Sequence, residues 1–176
     1  AEVKMKKIML VIAVMIACLL TGCGHSAKDG VKLLEQGEYK EAIKIFEKSI
    51  EKDKNLGESY RGQGIAYWEL ENYEKAESCF TKAIDNGAKK TGTIFNFIAI
   101  CNMKQGKMKE ALNYFNLGLS MKGNSKKLTQ EMEYNEVVVC ENLKDWESAK
   151  TKMAAYAAKY PEDTKVLKEA EFLETR

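Results

Sequence analysis

Histidine, proline and arginine are nearly absent from this chain. One histidine, His25, stands in 176 residues, which excludes a multi-histidine metal centre and leaves histidine-based catalysis a single candidate. One proline and 12 glycines exclude collagen-like and linker-rich chains. The net charge is small, +2 from 28 basic and 26 acidic side chains, so nothing drives the chain as a whole toward nucleic acid. There is no nucleotide-binding loop, paired metal-ligand motif or nucleophile elbow. Gly62-Gln63-Gly64 lacks the third glycine and the preceding strand of a phosphate loop. Val137-Val138-Val139 is the one β-like run, and it lies inside a helical pattern. No enzyme activity, cofactor or metal is expected. What is present is 45% hydrophobic and 31% charged residues, the composition of a globular chain long enough to bury a core.

The first 23 residues differ from the rest. Lys4, Lys6 and Lys7 precede thirteen apolar residues, Ile8 to Leu20, a run too short to span a bilayer comfortably. Leu20-Thr21-Gly22-Cys23 follows. Basic, apolar, small and cysteine in that order read as an export signal. The last four residues resemble the lipobox of bacterial lipoproteins. That resemblance implies diacylglyceryl transfer to the Cys23 thiol, removal of a signal peptide 1–22, and a membrane contact made by acyl chains. Residues 23–26 would be a short tether, on the extracytoplasmic face of the cell membrane. An ordinary export signal, or an anchoring helix with an incidental cysteine, is the alternative. The leader's three lysines and single glutamate carry the whole net charge, so the remainder is formally neutral. Lysine outnumbers arginine 26 to 2, a skew typical of AT-rich genomes. That skew fits a low-GC Gram-positive source, for which the tether would be on the outer face of the cytoplasmic membrane; a Gram-negative source stays open.

The rest repeats. Gly30, Tyr39, Ala42, Phe46 and Ser49 recur 34 residues later as Gly64, Tyr73, Ala76, Phe80 and Ala83. Ala99, Met108, Ala111, Phe115 and Gly118 follow 35 residues on, and Val137, Trp146, Ala149, Met153 and Tyr156 follow after 38 more. Ala42, Phe46, Ser49 and Ile50 have the i, i+4, i+7, i+8 spacing of one helix face, and charged residues fill the other. Gly37 and Gly106 suit turns that need a left-handed residue, and Asn72, Asp145 and Asp163 suit helix N-caps. Nine helices are expected, at about 27–36, 39–53, 57–70, 73–86, 92–105, 108–121, 125–142, 145–159 and 163–174.

The segments Gly37-Glu38-Tyr39-Lys40-Glu41-Ala42, Asn72-Tyr73-Glu74-Lys75-Ala76 and Gly106-Lys107-Met108-Lys109-Glu110-Ala111 resemble the tetratricopeptide (TPR) repeat family, whose unit is a helix–turn–helix of 34 residues. The resemblance covers about residues 27–160. It implies an all-α, TPR-type α-solenoid of about four repeats, with residues 161–176 as a C-terminal capping helix that covers the last apolar face through Val166, Leu167, Ala170 and Leu173. Gly30 and Ala42 would let the helices of a repeat cross closely, and Phe46, Phe80 and Phe115 would fill the space between pairs.

In such arrays the first helices line a concave groove that binds a segment of another protein. The matching side chains are Val31, Leu34 and Glu35, then Arg61, Ile65 and Trp68, then Asn96, Ile100, Met103 and Lys104, then Tyr134, Val138 and Asn142. The positions of the chaperone-carboxylate clamp known in one subclass carry Ala27, Val31, Gly62, Thr93 and Phe97, which hold no carboxylate. The expected role is a lipid-anchored scaffold that binds a protein or peptide, as lipoproteins of this kind do in envelope assembly or secretion. A self-associating structural lipoprotein, or a solute-binding or hydrolytic one, remains the alternative, and the oligomeric state is open. Among the cysteines, Cys18 leaves with the leader. Cys79, Cys101 and Cys140 are expected as small buried hydrophobes, with a Cys79–Cys101 bridge as the alternative.

Overall fold

The computed structural model describes residues 25–175, apart from the side chains of His25, Ser26, Lys165 and Leu167. The expected signal peptide and the Cys23 lipidation site lie outside the described residues. The described residues divide into two compact units, one ending at Lys89 and one beginning at Lys90. In the first lie α1 (His25–Glu35), α2 (Tyr39–Glu51), α3 (Leu56–Glu69) and α4 (Tyr73–Asp85). In the second lie α5 (Gly92–Lys104), α6 (Met108–Ser120), α7 (Lys126–Asn142), α8 (Trp146–Lys159) and α9 (Thr164–Glu174). Among the described residues there is no strand, and Val137-Val138-Val139 is helical. Every boundary falls within two residues of its expectation. α1 starts at His25, inside the segment expected as tether.

The helices end where the sequence makes them end. After each first helix the backbone enters the left-handed region at one residue: Gly37 (φ 78°), Glu71 (φ 56°), Gly106 (φ 77°) and Lys144 (φ 59°). The next amide then reaches back across the last turn. Glu38 N–H donates to Leu33 O, Asn72 to Tyr67 O, Lys107 to Asn102 O and Asp145 to Cys140 O, each at 2.9 Å. This Schellman closure satisfies carbonyls the helix leaves open. Gly37 and Gly106 were expected there. Glu71 and Lys144 hold the same conformation with a Cβ, which is uphill by about 1–2 kcal/mol. Glu71→Gly is therefore expected to raise stability by about 1 kcal/mol in urea unfolding, and Gly37→Ala to lower it by a similar amount.

N-caps begin the next helices. Asn72 accepts from Lys75 N–H and Asp145 from Ser148 N–H, both at 3.2 Å, as expected. Thr91 and Ser125 cap α5 and α7 in the same way. Asp163 is a correction: it precedes α9, but its carboxylate caps no amide of that helix. It accepts instead from Tyr156 Oη at 2.9 Å, since a buried phenol hydroxyl needs an acceptor.

In the first unit the core is built on phenylalanine against glycine. Phe46, Phe80, Ala42, Ala76 and Ala83 are fully buried. A Cβ added to Gly30 would stand 2.7 Å from Phe46 Cε1, and one on Gly62 would be closer still to Phe46 Cζ. Phe80 lies the same way against Gly64, 2.8 Å from such a Cβ. Gly62 and Gly64 are thus packing residues, which accounts for the false appearance of a phosphate loop. Ser49 is also fully buried; it accepts from Ser59 Oγ at 2.9 Å and donates to Lys54 O at 3.0 Å. Tyr39 donates its hydroxyl to Glu69 at 3.2 Å.

In the second unit Phe115 packs with Ala99, Ala111, Met132 and Val139. A second cluster joins Val137, Cys140, Ala149, Met153, Tyr156 and Tyr160 to Val166 and Leu173 of α9, with Trp146 and Ala170 alongside. α9 therefore covers apolar surface through Val166, Ala170 and Leu173, while the Leu167 side chain lies outside the described residues. Cys79, Cys101 and Cys140 are buried and in no disulfide, so the Cys79–Cys101 bridge is not formed. Burial pushes the Cys79 thiol up to about 11, which keeps it protonated and unreactive at neutral pH.

Candidate functional site

The residues expected to line a groove divide between the two units. On α3, Ile65 is fully buried and Arg61 is 5% exposed, its guanidinium paired with Glu58 at 2.7 Å. These correct the expectation: both pack inside the fold rather than facing a ligand, because α3 is enclosed along most of its length. Trp68 is half-buried, its ring edge-on to Tyr73 at 5.4 Å. On α1, Val31 and Leu34 are buried and Glu35 is exposed.

The second unit has the more open face. On α5, Ile100 and Met103 are half-buried at i, i+3 spacing, and Lys104 is exposed beside them. On α7, Tyr134 and Val138 are half-buried at i, i+4. Asn142 is exposed but folds back, donating to Val138 O at 2.7 Å. Asn96 is a further correction: it is 3% exposed, and its Nδ2 donates to Glu131 Oε1 at 3.0 Å, linking α5 to α7. Asn96 Oδ1 is buried with no donor.

Carboxylates flank this face, and they were not among the residues expected from the sequence. Glu131, Tyr134, Val138 and Glu141 follow 3, 4, 3 spacing and so form one stripe of α7. That spacing was visible in the sequence. The approach of Glu169 from α9 was not, since it depends on how α9 lies. Burial, and then the Glu169 charge, push the Glu141 carboxyl up to about 7. Tyr134 is raised by burial, then by Glu169, Glu141 and Asp163. A carboxyl whose folded value exceeds its unfolded one favours the folded state fully at low pH, and that contribution is lost as pH rises through the folded value. Melting temperature is thus expected to fall between about pH 4.5 and 7. Glu141→Gln should flatten that fall in a pH series followed by circular dichroism.

A cavity of about 190 Å³ lies elsewhere on the second unit, lined by Glu133, Glu136, Lys152, Ala155, Tyr156 and Lys159. Its charges pair internally, Lys152 with Glu136 at 2.8 Å and Lys159 with Glu133 at 2.6 Å. Tyr160 also donates to Glu133, at 2.8 Å. Among the described residues no group of His, Cys, Asp or Glu is placed to hold a metal ion. Among them, too, no helix is long and apolar enough to cross a membrane.

Comparison with known proteins bears on the fold. Residues 30–89 match the family described as tetratricopeptide repeat. No curated protein matches the chain. The crystal structure of YrrB, "a TPR protein with an unusual peptide-binding site", is similar with a TM-score of 0.74 at 21% identity, over 85% of this chain and 75% of that one. MamA from Desulfovibrio magneticus RS-1 gives 0.72 at 19% identity, over 87% and 86%. The second TPR domain of human RPAP3, in complex with the HSP70 peptide SGPTIEEVD, gives 0.55 at 25% identity, over 62% and 91%. Residues 30–89 therefore match the tetratricopeptide repeat family, and the described residues have the all-α helix–turn–helix repeat fold of TPR proteins.

Proposed function

We propose that this chain is a protein-interaction module that holds a peptide segment of a partner protein on the α5–α7 face. The observation that carries this reading is the pair of half-buried apolar stripes, Ile100–Met103 and Tyr134–Val138, on the first helices of adjacent pairs. Apolar and aromatic surface beside unpaired polar atoms is the make-up of a peptide-binding face. Two structural neighbours, YrrB and the RPAP3 domain, are described as binding peptides, which supports the reading. The module is a scaffold and not an enzyme. Its test is a pull-down from solubilised membranes with wild type, Met103→Glu, Val138→Glu and, away from the face, Leu117→Glu. Partners are expected to be retained by wild type and Leu117→Glu and lost from the other two. Equal recovery by all four would remove the reading.

The lipid anchor belongs to the same proposal. The run from Lys4 to Cys23 supports acylation of Cys23, removal of residues 1–22 and tethering at the extracytoplasmic face of the cell membrane, in envelope assembly or secretion. Labelled palmitate is expected to enter wild type and not Cys23→Ser. Equal labelling of both would contradict the anchor.

A further inference from the structure

The α5–α7 face of the second unit carries carboxylates along its apolar α7 stripe and one exposed lysine, Lys104, beside it on α5. At one end Asn96, 3% exposed, donates to Glu131 and leaves its buried Oδ1 without a donor. At the other end Glu141 is hydrogen-bonded to the Glu169 carboxyl and keeps its buried Oε1 without a donor. Between them lie the half-buried Tyr134 and Val138. The groups left open at both ends are acceptors. Lys152 and Lys159 of the same unit are engaged with Glu136 and Glu133 at the cavity described above. Lys104 is exposed at the last turn of α5.

Buried acceptors without donors are costly, and a carboxyl held near neutrality first by burial and then by a neighbouring carboxyl gains from a cation. A guanidinium or ammonium group supplies both donors and charge. Glu131 and Glu141 are ten residues apart on one helix face, so the two ends stand about 15 Å apart. An extended chain covers that distance in about four or five residues.

We propose that this face binds a basic peptide segment, in which two lysine or arginine residues four or five positions apart reach Asn96–Glu131 and Glu141–Glu169 while apolar residues between them lie on Val138 and Met103. The proposal rests on the peptide-binding reading above and adds the class of partner. It also separates this chain from an acidic ligand such as the SGPTIEEVD peptide of the RPAP3 complex.

The test is fluorescence anisotropy of the full chain in detergent, with three dye-labelled eight-residue peptides. One carries two arginines five positions apart with leucines between; in the others both arginines are replaced by glutamine or by glutamate. The arginine peptide is expected to bind at least tenfold tighter than the glutamine peptide, and the glutamate peptide not to bind. Glu131→Gln and Glu141→Gln should each weaken the arginine peptide severalfold, while Glu147→Gln on the exposed surface of α8 leaves it unchanged. Far-ultraviolet circular dichroism checks that each variant keeps its helix content. Equal binding of the glutamine peptide, abolished by Val138→Glu, would overturn the basic preference and leave the peptide-binding reading standing. Arginine-peptide binding that ignores Glu131→Gln and Glu141→Gln, or falls equally with Glu147→Gln, would overturn the proposal as diffuse charge attraction. Failure of all three peptides would overturn the proposal and the peptide-binding reading with it.

Discussion

Phe46→Ala is expected to lower the stability of the first unit by about 3–5 kcal/mol, the range for removing a fully buried ring. Phe46 is wholly buried, and its ring lies against Gly30 of α1 and Gly62 of α3. One side chain of α2 thus joins three helices, and the cavity left by alanine is bounded by backbones that close only if the helices move. The same geometry predicts the reverse experiment. Gly62→Ala places a Cβ inside the space of the ring, and overpacking of this kind is worth about 1–3 kcal/mol. The two changes should not be additive, since residues that touch share their energy. In a Phe46→Leu background Gly62→Ala should cost clearly less than in wild type. Trp68 lies in the first unit and Trp146 in the second, so a Trp146→Phe background lets urea unfolding followed by tryptophan emission report on the first unit alone. An undiminished cost of Gly62→Ala in the Phe46→Leu background would mean the contact is not the source of the strain.

Lys152→Met is expected to destabilise the second unit by about 3 kcal/mol. Glu136 on α7 has a side chain only 6% exposed, and Lys152 of α8, 34% exposed, is its cation at 2.8 Å. The other carboxylate oxygen of Glu136 is already buried without a partner. Removing the lysine leaves a buried negative charge with no compensation. A buried pair as a whole, by contrast, is worth little beyond an apolar pair of the same volume. The double variant Glu136→Met and Lys152→Met should therefore recover to within about 1 kcal/mol of wild type. Urea unfolding followed by Trp146 in a Trp68→Phe background measures both. A double variant as unstable as the single one would show that packing, not charge, is lost.

Periodicity made the helices and their core legible. Ala42, Phe46, Phe80 and Phe115 fall on the repeat and are all buried, because a small or aromatic residue recurring at the repeat period marks where one helix packs on the next. Turn chemistry was legible at Gly37 and Gly106, where glycine announces a left-handed residue. It was silent at Glu71 and Lys144, where repeat position imposes the same conformation on residues that do not favour it. Asp163 shows the opposite failure: its place before α9 fits a cap, yet a phenol seven residues back captures its carboxylate.

The candidate face was less legible. Matching repeat positions identified Ile100, Met103, Tyr134 and Val138, which are half-buried, but it also identified Ile65, Arg61 and Asn96, which are enclosed. Register gives the side of a helix, whereas exposure depends on what packs against that side. Glu169 could not be assigned to the face at all, since nothing local to α9 tells which carboxylates it will approach.

On the proposed reading, the α5–α7 face contacts a partner protein. Photo-crosslinking tests it directly, with benzoylphenylalanine placed at position 138 on the face and, separately, at exposed position 113 on α6. Illumination of intact membranes is expected to give a discrete heavier adduct from position 138 and none from position 113. No adduct at position 138, or the same adduct from both positions, would contradict the account.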